Sequence, residues 1–394
     1  MKRPLIVQKF GGTSVGSVER IENVAEHVIR AKYSGKQVVV VVSAMSGETN
    51  RLMALAKQVD KVPNARELDV LLSAGEQVSM ALLAMTLDRM GHKAVSLTGA
   101  QAGIKTNRIH NDATISDIDT QAIEHYLQQD QIVIVAGFQG INDLGDITTL
   151  GRGGSDTTAV TLAGALKAEE CQIFTDVDGV YSCDPRVVSN AKRIAQIDYP
   201  TMEEMARKGA KVLHLPCVQY ARNNRVPVRV VSSFTEGSGT LVCGESVCTG
   251  LTGIAIQKDL VAIGVAAAQV ESVDKQCKML GIESYWLTQA NQNELLIKAE
   301  HSDKLKLVIE DKITQEQQVG LLTLVGTKAR EQVSHYQQLL KFSDISVLHF
   351  FEDEHSISLV LTPSTIDRAA NLLHDGHIIN DGALSREEKQ VYLG

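Results

Sequence analysis

The residues of this chain best suited to chemistry gather first in Thr149-Leu150-Gly151-Arg152-Gly153-Gly154-Ser155-Asp156-Thr157-Thr158. Three glycines let the backbone turn tightly and approach a ligand with no Cβ in the way. Ser155 or Asp156 can cap the helix expected over Thr157–Lys167, and a helix start attracts anions. Arg152 adds a planar fork of donors suited to a carboxylate or a phosphate. Asp156 sets one acid beside that base. Taken alone, the stretch reads equally as an ordinary glycine-rich loop before a capped helix. Lys9 is the second candidate. It ends the buried run Leu5-Ile6-Val7-Gln8-Lys9-Phe10 and precedes Gly11-Gly12-Thr13-Ser14. Beyond that turn, Ile21, Val24, Ala25, Val28 and Ile29 recur at helical spacing. Strand end, glycine turn and helix aim backbone N–H groups and one ammonium at a phosphate, without being a Walker loop. The competing reading of Lys9 is a solvated strand end. Glu76, in Ser73-Ala74-Gly75-Glu76-Gln77-Val78, is either a helix-surface glutamate or an acceptor for a ligand's ammonium. His110-Asn111-Asp112 reads as a turn, because no His/Asp/Ser arrangement makes His110 a base.

These residues need a frame. Val38–Val42 is too apolar to be exposed on either face and ends in the hydroxyl-rich loop Ser43-Ala44-Met45-Ser46-Gly47-Glu48-Thr49-Asn50. A long helix is expected over Ala65–Met90, a short strand over Ala94–Leu97 and a loop over Ile104–Ile115. A strand over Ile132–Gly137 is followed by a hairpin, Phe138–Ile147, that delivers the Gly151 loop. The run from Cys171 to Tyr181 is a strand ending in Asp-Gly turn chemistry. A short helix over Glu203–Lys208 and a last strand over Val226–Val231 complete one mainly parallel α/β domain, residues 1–234. In such sheets ligands bind beyond the carboxyl ends of the strands, where several of these loops lie. Residues 235–250, rich in Gly, Ser and Thr, read as a linker.

Beyond the linker the pattern changes. Strands near Thr252–Ile256, Val261–Val265, Ser284–Thr288 and Glu294–Lys298 alternate with helices over Val270–Leu280 and His301–Lys312. The order repeats with strands Val319–Val325, Ile345–Phe350 and Ser356–Leu361 and helices Arg330–Lys341 and Ser364–His374. Two βαββα units, residues 251–314 and 315–394, suggest tandem ferredoxin-like domains. Each leaves a sheet edge that invites pairing with its neighbour or a second chain.

At 394 residues the chain has room for two or three domains. A hydrophobic content of 44% with 4% aromatics predicts an aliphatic α/β core. The net charge of −8 argues against nucleic acid as a partner. An anionic substrate then requires cations gathered at the site. Six scattered cysteines, Cys171, Cys183, Cys217, Cys243, Cys248 and Cys277, form no Cys-x-x-Cys pair and read as reduced thiols of a cytosolic protein, with no metal site. No signal peptide follows the N-terminus, and no apolar run approaches the ~20 residues needed to span a bilayer.

Taken together, the loops resemble one family, the aspartate kinases of the amino-acid kinase superfamily. The resemblance rests on Lys9-Phe10-Gly11-Gly12-Thr13-Ser14, Ser43 to Thr49, Gly75-Glu76-Gln77, Gly151 to Thr158, Phe174 to Tyr181, Asp184-Pro185-Arg186 and Gly209-Ala210-Lys211-Val212-Leu213-His214, all in the family's order. The C-terminal repeats look like its paired ACT regulatory domains. With no dinucleotide fingerprint, the chain resembles the monofunctional kinase and not its homoserine dehydrogenase fusion. The resemblance implies transfer of the ATP γ-phosphoryl group to the β-carboxylate of L-aspartate, giving 4-phospho-L-aspartate. This is the first step of lysine, threonine and methionine biosynthesis. It implies that Lys9, Phe10, Gly11 and Gly12 meet the transferring phosphoryl group and that Asp156 orients Lys9. Arg152 would clamp the substrate α-carboxylate and Glu76 its ammonium, with Ser43, Thr49, Gly153 and Ser155 completing the pocket. Thr175, Asp176, Tyr181, Arg186 and Lys211 would line the nucleotide. Mg²⁺ would bridge the phosphates, held by ATP and water, and copies would associate through the ACT-like domains.

Two departures stand out. The family's Pro-Arg after the histidine is here Leu215-Pro216, with Arg222 or Arg225 as candidate replacements. The Asp-x-Pro-Gly turn of the ACT domains is replaced by Ala267-Ala268-Gln269-Val270 and Gly326-Thr327-Lys328-Ala329, so the resemblance does not carry over lysine or threonine as effector. The alternatives are a sibling kinase acting on glutamate, acetylglutamate or carbamate, and a catalytically silent amino-acid sensor.

Overall fold

The computed structural model describes residues 3–245, 251–289, 292–326, 329 and 333–381. Outside them lie the end of the expected linker with Cys248, Thr327-Lys328 of the second replaced turn, the Arg330 start of its helix, and the tail beyond Asp381. The chain divides into two units. One comprises Met1–Val180, Arg193–Glu203 and Lys211–Ser246; the other comprises Tyr181–Lys192, Glu204–Ala210 and Val247–Gly394.

The first unit begins β1 (Leu5–Phe10), α1 (Val18–Tyr33), β2 (Gln37–Val42), α2 (Glu48–Val59), α3 (Ala65–Arg89) and β3 (Ala94–Leu97). It continues with β4 (Ile104–Thr106), β5 (Ile115–Ile118), α4 (Gln121–Gln128), β6 (Ile132–Ala136), β7 (Gln139–Ile141) and β8 (Ile147–Thr149). Then come α5 (Gly154–Ala165), β9 (Glu170–Thr175), β10 (Gln196–Ile197), α6 (Tyr199–Arg207, of which Glu204–Arg207 is counted in the second unit), α7 (Leu215–Asn224), β11 (Val228–Ser232) and β12 (Thr240–Val242). The main sheet runs β10-β12-β11-β9-β1-β2-β6-β3. Every neighbouring pair is parallel except β11 with β12. β11 is therefore not the last strand: β12, within the expected linker, adds to the same sheet. A small sheet, β5-β4-β7-β8, includes β4 where a loop was expected and β5 from that loop's last residue.

Strand periodicity decides what faces where. Ile6 and Phe10 of β1 pack with Val38, Val40 and Val42 of β2 and Ile132, Ile134 and Ala136 of β6 against α1 and α3. Lys9, one residue out of phase, must point to the opposite face, where α5 packs on β1 and β2. The α5 helix approaches the sheet centre because its contact residues are small: Gly154, Ser155, Thr158, Ala159 and Ala163 are all buried. Its threonines bond back along the helix, Thr158 to the Gly154 carbonyl at 2.8 Å and Thr161 to that of Thr157 at 2.7 Å. α3 has the length and apolar composition to cross a membrane, against the reading that no run approaches it, but it is mostly buried in the core. Its buried face also carries Asp69, Ser73 and Glu76.

The second unit contains β13 (Gly253–Val265), α8 (Val270–Met279), β14 (Tyr285–Gln289), β15 (Gln292–Lys298) and α9 (Ser302–Ile309). It ends with β16 (Ile313–Val325), α10 (Val333–Phe342), β17 (Val347–Glu352), β18 (Ser356–Leu361) and α11 (Ile366–Asp381). One antiparallel sheet runs β14-β15-β13-β16-β18-β17. The two strands expected at Thr252–Ile256 and Val261–Val265 are one, with a register shift between Gln257 and Leu260. The halves of β13 and β16 serve different cores. Ile254, Leu322 and Leu324 pack with Tyr336, Ile366 and Leu373, whereas Val261 and Ile263 pack with Val273, Leu305 and Ile309.

Candidate active site

The carboxyl ends of β1, β2, β6, β9 and β11 share one rim, since Phe10 lies in register with Val42 and Phe174, Val42 with Ala136, and Phe174 with Val231. The loops leaving that rim are tied to each other through the backbone. Gly11 N–H donates to the Phe174 carbonyl at 3.2 Å, and Ser46 N–H to that of Gly12 at 3.1 Å. A Cβ on Gly12 would lie 2.8 Å from the Ala44 oxygen, so only glycine allows this approach.

These loops surround a cleft of about 340 Å³ lined by Lys9, Gly12, Ser43, Thr49, Glu76, Gly153, Ser155 and Asp156, among others. Lys9 Nζ meets Asp156 Oδ1 at 2.6 Å, and both side chains are largely buried. Sequence reading had Ser155 or Asp156 capping a helix that starts at Thr157. In fact α5 starts at Gly154, and Gly153 caps it in the left-handed region (φ 68°) with no side-chain cap bond. Asp156 falls in the first turn, at the positive end of the helix, where it reaches Lys9.

Glu76 is 3% exposed. Its Oε1 accepts from Ala44 N–H at 3.0 Å, and Oε2 is buried with no hydrogen-bond partner. Burial raises its pKa to about 7 against a backbone hydrogen bond that lowers it. A glutamate beside a lysine-bearing wall, with one unanswered oxygen, is poised to accept a donor or a cation.

Arg152 is exposed and sits between the cleft-lining Gly151 and Gly153. Phe10 is fully buried and stacks on Phe174 with centroids 4.5 Å apart, so its side chain belongs to the core. Thr175 ends β9 on the same rim, followed by the exposed Asp176, and exposed Lys211 precedes α7. Tyr181 and Arg186 belong to the segment Tyr181–Lys192 of the second unit; there Arg186 pairs with Asp184 at 2.7 Å. Arg222 and Arg225 do not replace the missing arginine of the His214 turn. They lie at the far end of α7 from His214, Arg222 bonded to Glu203 at 2.7 Å and Glu245 at 3.2 Å, and Arg225 closing the helix. The sequence does not mark Asn50 and Phe138 as cleft-wall residues. His110 lies in a turn, as expected, and its Nδ1 also lies 2.6 Å from the buried Asp69 carboxylate, 41 positions away, a tie the sequence does not show. The only cue was a second acid seven residues before Glu76 on one helix face. Among the described residues no group of three or more His, Cys, Asp or Glu is gathered for a metal ion.

A parallel sheet with a helix N-terminus, a buried lysine and a glycine turn around one cleft defines an α/β domain of the phosphoryl-transfer class. The amino acid kinase family matches residues 4–232. Aspartokinase 2 of Bacillus subtilis is 40% identical over 395 residues, covering 94% of this chain and 97% of its own. An aspartate kinase of Stutzerimonas stutzeri is 59% identical over 238 residues, and the matched segment spans 58% of that protein. In fold the chain is similar to E. coli aspartokinase III in complex with aspartate and ADP, with a TM-score of 0.79 over 94% of this chain and 99% of that one at 24% identity. The chain belongs to the amino acid kinase family, among its aspartokinases.

Proposed function

We propose that this chain is an ATP-dependent aspartate kinase, transferring the γ-phosphoryl group to the β-carboxylate of L-aspartate. The observation that carries the reading is the cleft itself: a buried Lys9–Asp156 pair opposite Glu76, whose Oε2 has no partner. The acceptor carboxylate is already ionised near neutral pH, so no general base is needed. The task is to bring two anions together, by positioning and by cationic stabilisation.

Lys9 and the Gly11-Gly12 backbone meet the transferring phosphoryl group, and Asp156 holds the Lys9 ammonium in place. Arg152 takes the α-carboxylate of aspartate, Glu76 its ammonium, and Ser43, Thr49, Gly153 and Ser155 close the pocket. Thr175, Asp176 and Lys211, all of the first unit, line the nucleotide. Mg²⁺ rides on the phosphates, held by ATP and water, and neutralises their charge. Copies of the chain associate through the C-terminal unit, where β14 and β17 are the outer strands of the sheet; light scattering would read a monomer mass if they do not. The kinase reading is tested by incubating the protein with ATP, hydroxylamine and, separately, aspartate, glutamate, acetylglutamate or carbamate. An aspartyl hydroxamate with aspartate supports it. Turnover with another acceptor, or none, overturns it.

A further inference from the structure

Asp69 has no place in the chemistry above, yet it is fully buried on α3 and engages three partners. Its Oδ2 lies 2.6 Å from His110 Nδ1. Asn111 N–H reaches both carboxylate oxygens, at 3.1 and 3.2 Å. Thr149 Oγ1 donates to Oδ1 at 2.5 Å. A buried carboxylate is costly unless its oxygens are answered, and here all the answers come from two segments that meet at the Gly151 loop. Thr149 ends β8 and is followed by Leu150-Gly151-Arg152. The Thr149 carbonyl accepts from Ala113 N–H at 2.8 Å, so the 110–113 turn and the loop are tied twice. That turn presses on the loop: a Cβ on Gly151 would lie 2.8 Å from Asp112 Oδ1.

Asp69 and Glu76 are seven residues apart, two turns along one face of α3. Glu76 fixes the Ser43–Gly47 wall through Ala44 N–H, and Gly75 packs on the Ala44 methyl. Asp69 fixes the wall that carries Arg152. A single rigid helix therefore sets the spacing between the group assigned to the substrate ammonium and the group assigned to its α-carboxylate.

We infer that Asp69 is a positioning residue for the acceptor, acting through Thr149 and the His110–Asn111 turn to hold Arg152 at the α-carboxylate. This rests on the aspartate reading of Arg152 given above. The test is steady-state kinetics of T149V, T149S, D69N and R152A, and of T149V and D69N each combined with R152A. T149V, which removes only the donor, is expected to raise the aspartate KM about tenfold, with kcat and the ATP KM within about twofold of wild type. T149S should restore it. D69N should show the same split and a larger rise. In the R152A background either change should add less than about twofold, because the group they position is gone. A parallel rise in both KM values, or an undiminished effect in the R152A background, overturns the inference. So does an unchanged aspartate KM in T149V. If D69N does not fold, T149V decides alone. Failure of the underlying reading looks different: R152A itself would leave the aspartate KM unchanged.

Discussion

Lys9 and Glu76 were visible in the sequence as residue types at the right places, but what distinguishes them is burial, which a sequence does not display. Taken alone, Lys9 reads more readily as a solvated strand end than as a phosphate ligand. It is 8% exposed, and Asp156 meets it at 2.6 Å across 147 positions of chain. An ammonium held there by one carboxylate is available to a second anion. Replacing Lys9 with alanine should therefore lower kcat roughly 10²–10³-fold with modest change in aspartate KM; near-normal turnover would remove Lys9 from its role. From sequence alone, Glu76 reads first as a helix-surface residue; its raised pKa makes its buried role testable by pH. With the carboxyl raised from its ordinary 4.5 to about 7 by burial, the empty protein keeps it protonated below neutrality. Its contribution to stability is thus fully present below pH 4.5 and is lost as the pH rises toward 7. Binding has the opposite sign, because an ammonium favours the ionised form. The aspartate KM should fall as pH rises from about 6 to 8. Glu76→Gln should raise that KM about tenfold or more and abolish its slope in this window; a slope that persists in the variant would assign the titration to another group.

At the scale of elements, most strands and helices were legible because the periodicities are clean, with five consecutive valines in β2 and a 3.6-residue repeat in α1. The misread places have physical causes. α5 starts three residues before the expected Thr157: Ser155 and Asp156 look like caps, whereas Gly153 supplies the left-handed cap with its backbone. Strand β4 falls where the sequence reads as loop, being only three residues long, and β5 starts at that loop's last residue. The Asp69–His110 tie is a contact between distant segments, which no local pattern announces. The glycine that was underrated makes its own prediction. At Gly153, alanine meets two obstacles: a positive φ of 68°, and a Cβ 2.5 Å from that of His214. At Gly35 the φ is 86° but nothing lies within 4 Å. Gly35→Ala should cost only the left-handed strain, about 1–2 kcal/mol of stability, and leave kinetics intact. Gly153→Ala should lower kcat/KM for aspartate by at least about tenfold, since the α5 start and the His214 turn must move apart. Equal kinetics for the two variants would detach this cap from the site.

For the molecule as a whole, the sequence separated a parallel α/β domain from a C-terminal pair of repeats, but not how the repeats are joined. β13 and β16 are each 13 residues long, and their residues pair across a register shift near Gln257 and Leu260. One half of each strand backs the Ile263 core and the other the Leu322 core. On the opposite face of the same sheet lies a third cluster, with Leu260 and Leu296 against Leu321 and Val360. Beside it, His349 Nε2 sits 2.7 Å from Glu294 Oε2, joining β17 to β15, strands not adjacent in the sheet. Two repeats that share both central strands cannot lose one core without loosening the other. Ile263→Ala and Leu322→Ala, both at fully buried positions, should each cost roughly 2–5 kcal/mol. By calorimetry of the full chain, both should lower the same C-terminal transition, each mutation removing protection from the amides of both cores in hydrogen exchange. If Ile263→Ala instead exposed only α8 and α9 to exchange and Leu322→Ala only α10 and α11, the repeats would be independent bodies. The shared strands would then be a tether, too weak to pass strain from one core to the next.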